Sequence, residues 1–201
     1  MPPAILDLGF DSRRRICGGS TKALSPRPPL RKPSEADLAI KFAIRDCSLG
    51  KILVAASNKG VCAIFFGDEA EPLLRDLQQR FPKARLLFGD ADLEALVARV
   101  MRCVEAPAEG FDFPLDIHGT AFQRRVWAGL REIPTGATVS YADVARRIGE
   151  PKCVRAVASA IAANKIAVAI PCHRVLHSDG SLSGFRWGVE RKRALLNREQ
   201  R

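Results

Sequence analysis

Turn-forming residues divide the chain after Ala39 into short segments, and this spacing limits the possible folds more than any other feature. Three apolar or alternating runs typical of strands lie at Ile40–Ile44, Lys51–Ala56 and Val61–Phe66. The turn Asn58-Lys59-Gly60 separates the last two runs and predicts a β-hairpin. We therefore expect a small sheet near the start of the folded region.

Helical spacing replaces the strand pattern further along the chain. Apolar residues recur at that spacing over Leu73–Leu77 and over Leu93–Val100, each time before a proline. Phe111–Ile117 then predicts one more extended segment. Residues 38–115 are thus expected to form a small α/β domain in which no chemistry is visible.

Two capping boxes predict where helices begin in the second half. Thr120 with Gln123 opens a helix through Leu130, and Ser140 with Asp143 opens the next. In a capping box the two side chains satisfy backbone N–H groups that the first helical turn leaves without partners. Both helices carry apolar residues at helical spacing.

A third helix is predicted from about Lys152 to Ala163, after the turn Gly149-Glu150-Pro151. Two short helices around a glycine-containing turn are typical of a helix-turn-helix, although many helical hairpins share the pattern. Its predicted apolar stripe consists of Val154, Val157, Ala158 and Ile161.

The opposite face of this third helix carries small side chains and one arginine. A smooth face of this kind favours close approach to a DNA minor groove, with the arginine able to enter the base stack. A helix buried on all sides would also tolerate so many alanines. The residues of this face are Arg155, Ala156, Ser159, Ala162 and Ala163.

The positive charge of the chain is unevenly distributed. The net charge is +10, and residues 116–201 hold 15 lysines and arginines against 7 aspartates and glutamates. A polyanionic partner explains such a concentration, and so does a solvated basic face. Residues 1–37 contain many prolines and charges without periodicity, and we expect them to form a disordered tail.

The six cysteines are scattered, with no C-x-x-C pair. Cys62 and Cys103 lie among apolar residues and are expected to be small buried side chains. No Cys/His cluster is apparent around His118 or His177, so we expect no metal. The chain has no run of about 18 apolar residues and no secretory segment, which favours the cytoplasm.

One short segment combines an apolar run with a nucleophile. Ile166–Ile170 is expected to be a buried, strand-like segment that ends at Pro171, Cys172 and His173. A thiol is mostly protonated at neutral pH, and histidine is the side chain best suited to take its proton. Adjacent side chains rarely face each other, so a bridging water is expected. A structural turn is the alternative interpretation.

These segments together resemble the O6-alkylguanine-DNA alkyltransferase family. The resemblance runs from about Ala39 to Arg201, and Pro-Cys-His-Arg-Val with Asn164 eight residues upstream is its most specific signature. The other matching motifs are Gly119–Gln123, Val139–Tyr141, Arg155–Ala160, Ser183–Gly188 and Arg191-Lys192.

The resemblance implies an α+β protein that repairs DNA directly. A ribonuclease H-like α/β domain would occupy residues 38–115, and a winged-helix-like domain with the helix-turn-helix would occupy 116–201. An alkyl group would move irreversibly from O6-alkylguanine in double-stranded DNA, and also from O4-alkylthymine, to the protein. The resemblance implies no cofactor and a monomer. Some members carry an amino-terminal metal domain for phosphotriester repair; because nothing like it precedes Ala39, we expect base repair alone.

The resemblance assigns catalytic roles to five residues. Cys172 would be the nucleophile and alkyl acceptor. His173 would act as base through a water, and Glu199 would orient it. Asn164 would brace the reactive turn, and Tyr141 would help rotate the target nucleotide and donate a hydrogen bond to guanine N3.

Other residues would contact DNA or form the pocket. Arg155 would fill the gap left by the flipped base, with Ala156, Ser159 and Ser140 beside the DNA. Phe185 stands where many relatives have tyrosine, which preserves stacking but removes a hydroxyl group, and Arg186 is bulky where some have a small residue. The expected pocket residues are Ser183, Gly184, Phe185, Arg186 and Trp187.

Alternatives stay open for several assignments. Glu199 could be an ordinary surface acid, and Tyr141 could simply pack beneath its helix. Glu190 is a second candidate carboxylate, although its arginine-rich surroundings favour a solvated ion pair. Two other classes compete for the whole chain: a DNA-damage binder without transfer activity, which Cys172 argues against, and a helix-turn-helix regulator, which the alanine-rich helix face argues against.

Overall fold

The computed structural model describes residues 39–107 and 110–200, so the predicted tail at 1–37 lies outside the described residues. The first part is a four-stranded sheet of order β3-β2-β1-β4. Neighbouring strands are antiparallel, except that β4 runs parallel to β1. The strands are β1 (Ala39–Cys47), β2 (Gly50–Ser57), β3 (Gly60–Gly67) and β4 (Arg85–Phe88).

The predicted hairpin is confirmed between β2 and β3, where Gly60 pairs with Ser57. Gly60 has φ +139°, and a Cβ there would lie 2.2 Å from the carbonyl oxygen of Pro114. Glycine is therefore required both by the turn and by the close approach of the backbone.

Two helices pack against the sheet, as the apolar spacing predicts. Helix α1 (Ala70–Arg80) contacts β2 and β3, and helix α2 (Ala91–Glu105) contacts β1 and β2. The Asp90 side chain accepts a hydrogen bond from Leu93 N and caps α2. Leucines and valines on the inner faces of both helices are buried in the same core.

Two details of this region go beyond what the sequence predicted. Strand β4 was not predicted, because its four residues are too few to display a period and are at most half-buried. Phe111–Ile117 is not a strand: it makes a single bridge, between Leu115 and Val61. Pro114 lacks an N–H group, so the segment pairs only through Pro114 O and Asp116 N.

The second part is mostly helical. Both predicted capping boxes are confirmed, Thr120 with Gln123 and Ser140 with Asp143. Two short strands, β5 (Val139–Ser140) and β6 (Val175–Leu176), pair in parallel. They join the segment before Tyr141 to the segment after the turn Cys172–Arg174. The helices are α3 (Ala121–Arg131), α4 (Tyr141–Arg147), α5 (Val154–Ala162) and α6 (Val189–Glu199).

Helix α5 buries a face that differs slightly from the predicted stripe. Val157, Ala160 and Ile161 are buried, whereas Val154 and Ala158 are only half-buried and line a pocket. The opposite face is exposed at four of its five predicted positions, and Ala163 is half-buried, so α5 is not enclosed on all sides. The exposed residues are Arg155, Ala156, Ser159 and Ala162.

The prediction of a strand-like segment at Ile166–Ile170 is wrong, although the segment is buried as expected. Only Ile166 pairs with the sheet, through a bridge to Ile64 of β3, and the chain then turns. Val168 has φ +66°, a left-handed conformation that a β-branched residue rarely adopts. The resulting fold is α+β. None of the described helices is long and apolar enough to span a membrane.

Candidate active site

The reactive turn is a single 3₁₀ turn, Cys172–Arg174, which follows Pro171. Cys172 is 6% exposed. The Asn164 amide donates to Cys172 Sγ at 3.2 Å and to Ile170 O at 3.0 Å, while its Oδ1 accepts from Ile166 N at 2.9 Å. One buried side chain thus connects the end of α5, the turn and the sulfur.

The environment of Cys172 opposes ionisation. Burial raises the pKa of the thiol from 9.0 to about 11, although the Asn164 hydrogen bond and the charge of Lys192 lower it in part. The resting sulfur is therefore a neutral thiol at physiological pH, and a proton acceptor is needed to form the nucleophilic thiolate.

His173 is fully buried beside that thiol in the chain. Its Nε2 lies 2.7 Å from Glu199 Oε1. Since the carboxylate can only accept, Nε2 carries the hydrogen and Nδ1 of the neutral ring keeps a lone pair. Nδ1 is buried and has no hydrogen-bond partner within the described residues. Burial lowers the pKa of His173 below 6.5, and Glu199 opposes that change.

Glu199 differs from a surface acid, because its side chain is 1% exposed. It accepts hydrogen bonds from His173, from Arg174 Nε and Nη2 at 2.8–2.9 Å, and from Gly136 N at 3.2 Å. Burial raises the pKa of Glu199, but the hydrogen bonds from His173 and Arg174 outweigh it and bring the pKa from 4.5 down to about 2. Glu199 is therefore ionised whenever the protein is folded near neutral pH.

Lys192 is buried on the other side of the turn. Its Nζ donates to Val175 O at 2.5 Å and to Ser183 Oγ at 2.6 Å. Tyr141 OH also donates to Ser183 Oγ, at 2.8 Å. Burial lowers the pKa of Lys192 from 10.5 to about 8, with the Cys172 sulfur acting in the opposite direction. A cationic lysine thus supports both the thiolate and the pocket loop.

A pocket of about 690 Å³ opens onto Cys172. Helix α5 contributes Arg155, α4 contributes Tyr141, and the loop of residues 183–187 closes another side. In that loop the rings of Phe185 and Trp187 lie 5.1 Å apart, edge to face, and Trp187 packs against Phe65 and Phe66 of β3. The sheet therefore supports one wall of the pocket.

The remaining predicted residues fall into three places. Asn164 and residues 183–187 line the pocket, whereas His173 and Glu199 lie behind the thiol. Ala156 and Ser159 are exposed on α5, and the half-buried hydroxyl of Ser140 is bonded to Asp143 as the cap of α4. The alternative carboxylate Glu190 is exposed and pairs with Arg193 at 2.6 Å.

Sequence reasoning missed three residues of the site: Arg174, Lys192 and His177. Arg174 and Lys192 were recognised only as parts of motifs. Lys192 lies in a run of basic residues that reads as solvated, although its spacing of three from Leu195 places it on the buried face of α6. His177 lines the pocket 6.1 Å from the Tyr141 ring, and no pattern in the sequence pointed to it. Within the described residues, no three His, Cys, Asp or Glu side chains are grouped to hold a metal ion.

Comparisons with known proteins identify the family to which the chain belongs. The model of the 6-O-methylguanine DNA methyltransferase DNA-binding domain matches residues 121–201. The inducible methylated-DNA–protein-cysteine methyltransferase of Bacillus subtilis is 40% identical over 151 residues, which cover 74% of this chain and 83% of the relative. The bifunctional transcriptional activator/DNA repair enzyme Ada of Escherichia coli is 46% identical over 196 residues, 98% of this chain and 55% of Ada.

Solved structures agree. The Mycobacterium tuberculosis OGT crystal structure in complex with DNA has a TM-score of 0.67 and 30% sequence identity, covering 81% of this chain and 92% of that one. The chain belongs to the O6-methylguanine DNA methyltransferase family, as its motifs predict. It spans about half the length of the Escherichia coli and Salmonella typhimurium Ada proteins that it matches.

Proposed function

We propose that this protein repairs DNA by moving a methyl or larger alkyl group from guanine O6 to Cys172, once per molecule. The observation that carries this proposal is the buried thiol at the base of a pocket, followed directly by a histidine that is bonded to a buried carboxylate. The family supports the same activity, because its members are named for methyl transfer from DNA to a protein cysteine.

The proposed step needs one proton acceptor and no cofactor. Cys172 Sγ attacks the alkyl carbon in line as the bond from that carbon to O6 breaks. The thiol proton passes through a bridging water to His173 Nδ1, and Glu199 orients the imidazole and stabilises its charged form. The guanine leaves with the electron pair and takes up a proton, with Tyr141 donating a hydrogen bond to N3. A thioether remains on the protein.

Reaching the thiol requires the target base to leave the duplex, because O6 of a stacked guanine cannot approach a buried sulfur. Helix α5 would lie in the minor groove as the second helix of a helix-turn-helix. Its exposed small residues, Ala156 and Ser159, permit close approach, and Arg155 would occupy the gap in the stack. Ser140 and Tyr141 would act at the start of α4.

The pocket walls support the same interpretation. Phe185 offers a ring on which the flipped base can stack, and Asn164 would brace the turn. Ser183, Gly184, Arg186 and Trp187 would complete the wall, with backbone amides able to contact O6.

Several finer assignments belong to this proposal. Residues 38–115 would be a ribonuclease H-like domain, in keeping with the antiparallel β1–β3 order and the parallel β4. Residues 116–201 would be a winged-helix-like domain. We further propose activity on O4-alkylthymine, double-stranded DNA as the partner, a monomeric protein without membrane attachment, and a cytoplasmic location.

Mass spectrometry after incubation with an O6-methylguanine duplex tests the activity. We expect one added methyl group on Cys172, and none anywhere in Cys172→Ser. The matched control is Cys62→Ser, another buried thiol, which should still be methylated at Cys172. Unmodified protein that still binds damaged DNA would favour a damage binder, and strong preference for one undamaged sequence would favour a regulator.

A further inference from the structure

A second groove lies beside the reactive pocket and is lined by residues from both halves of the molecule. It has a volume of about 640 Å³ and runs between the end of α1, the start of α3 and the segment after α5. A smaller cavity of about 110 Å³ shares Arg80, His118 and Lys165 with it. None of the chemistry proposed above uses this groove.

Positive charge predominates in the groove. Two carboxylates lie nearby, and both already have partners: Asp76 accepts from Arg80 at 2.8 Å, and Asp116 accepts from Ser57 at 2.5 Å and faces His118. An excess of cations in a concave surface attracts a polyanion. The basic residues of the two cavities are Arg80, Lys83, Arg124, Lys165 and Arg186.

Two of these side chains are held in place by the protein. Arg124 is exposed and uses one N–H group to donate to Gly119 O at 2.7 Å, which leaves a guanidinium with several donors at the groove. Lys165 Nζ lies 4.7 Å above the centre of the Phe81 ring. Cations fixed in this way lose less conformational entropy when an anion binds.

The groove continues the surface that α5 presents. Ala163, the cap residue directly after α5, lines it, and Arg186 lines both the groove and the reactive pocket. Arg186 Nε donates to Ala162 O at 3.2 Å, at the last residue of α5. Along the helix, Ala163 lies about 12 Å from Arg155, given a rise of about 1.5 Å per residue.

We propose that this groove binds the phosphate backbone of the duplex a few nucleotides from the flipped base. The inference rests on the proposed function, because that function places α5 on the DNA. It adds a contact made jointly by α3, the segment after α5 and α1, and so it extends the DNA interface onto the sheet half of the molecule.

Salt-dependent binding to an undamaged duplex, which cannot be repaired, tests this site. Arg124→Gln with Lys165→Gln should flatten the slope of log K against log salt by about 1.8, since each phosphate contact contributes about 0.9. The control Arg75→Gln removes an exposed cation of α1 that does not line the groove, and it should leave the slope unchanged. Shortening the duplex from both ends, until it is only long enough to contact α5, should weaken wild-type binding and abolish the difference from the double variant.

The outcome separates this inference from the activity. The groove does not bind phosphate if the double variant keeps the wild-type slope of log K against log salt on long duplexes. The same conclusion follows if its slope differs from that of the wild type by as much on the shortened duplex as on the long one. Methyl transfer to Cys172 at saturating DNA should be unchanged in the double variant. Absence of transfer in the wild-type protein would overturn the proposed function while leaving the groove measurement valid.

Discussion

The sheet region and the helical region of this protein are stabilised in different ways. The buried residues of β1–β4, α1 and α2 are apolar, and the ion pairs of that region involve side chains with substantial exposure on at least one partner. The helical region buries polar and charged groups next to the thiol. In the described part of the chain, the buried polar residues are Asn164, His173, Arg174, Ser183 and Lys192.

The sheet region therefore supports the fold, whereas the helical region carries the chemical groups. Burying a polar or charged group is unfavourable unless it is hydrogen-bonded, so a fold without chemical constraints has little reason to concentrate five of them. Here Asn164 donates to Cys172, His173 and Arg174 both bond the Glu199 carboxylate, and Lys192 donates to Ser183 of the pocket loop. The apolar sheet supplies the favourable burial that offsets this arrangement.

The largest expected effect comes from breaking the buried ion pair. Glu199→Gln leaves the Arg174 guanidinium buried without a counter-charge and should lower the free energy of unfolding by about 3–5 kcal/mol. Glu94→Gln, which breaks an exposed pair with Arg45 in the sheet region, should cost less than about 1 kcal/mol. Urea unfolding of both variants measures the comparison, and equal losses would contradict it.

The same carboxylate predicts how stability depends on pH. Its pKa of about 2 in the folded state lies below the ordinary value of 4.5, so its contribution is present above pH 4.5 and is lost as the pH falls towards 2. The difference between wild type and Glu199→Gln should therefore narrow over that window, by up to about 3 kcal/mol. His173, whose pKa is lowered, adds a loss of stability below pH 6.5, and this loss is larger in Glu199→Gln because Glu199 opposes the lowering. A difference that stayed constant down to pH 3 would argue against this account.

A conservative change in the sheet should affect stability alone. Ile52 is fully buried in β2, and Ile52→Val should lower the free energy of unfolding by about 0.5–1.5 kcal/mol through loss of one methylene. The rate of methyl transfer per folded molecule should stay the same. Parallel unfolding and single-turnover measurements would reveal a direct influence of the sheet on the chemistry if the rate fell as well.

The smallest predicted effect concerns the thiol itself. Lys192→Met removes the positive charge that favours the Cys172 thiolate, and alkylation by iodoacetamide at neutral pH should slow about threefold to tenfold. Because the pKa of Lys192 is about 8, the difference from wild type should fade as the pH rises above that value. Arg193→Met, at the next and exposed position of α6, serves as the control and should react at the wild-type rate.

Sequence patterns predicted the features that depend on neighbours along the chain. The hairpin at Gly60 and the capping boxes at Thr120 and Ser140 are local, and all three are confirmed. The family was identified from motifs and is also confirmed. Strand β4 was not predicted, because its place in the sheet depends on pairing with β1 across about forty residues of chain.

The site was predicted in part for the same reason. Asn164, Cys172 and His173 lie within ten residues and share one motif. Arg174 and Lys192 gain their importance from burial and from distant partners such as Glu199 and Ser183, which no local pattern reveals. The Ile166–Ile170 run has the composition of a strand, but tertiary contacts fold it into a turn.

That turn gives the sheet a role of its own. Val168 at φ +66° is disfavoured by about 1–3 kcal/mol, so the segment would adopt another conformation if nothing restrained it. The restraint is the backbone of Ile64, which donates to Lys165 O at 2.9 Å and accepts from Ala167 N at 3.1 Å. A helical half expressed alone could keep its helices and still misplace the sulfur, because the template for the loop that carries it is a strand in the other half.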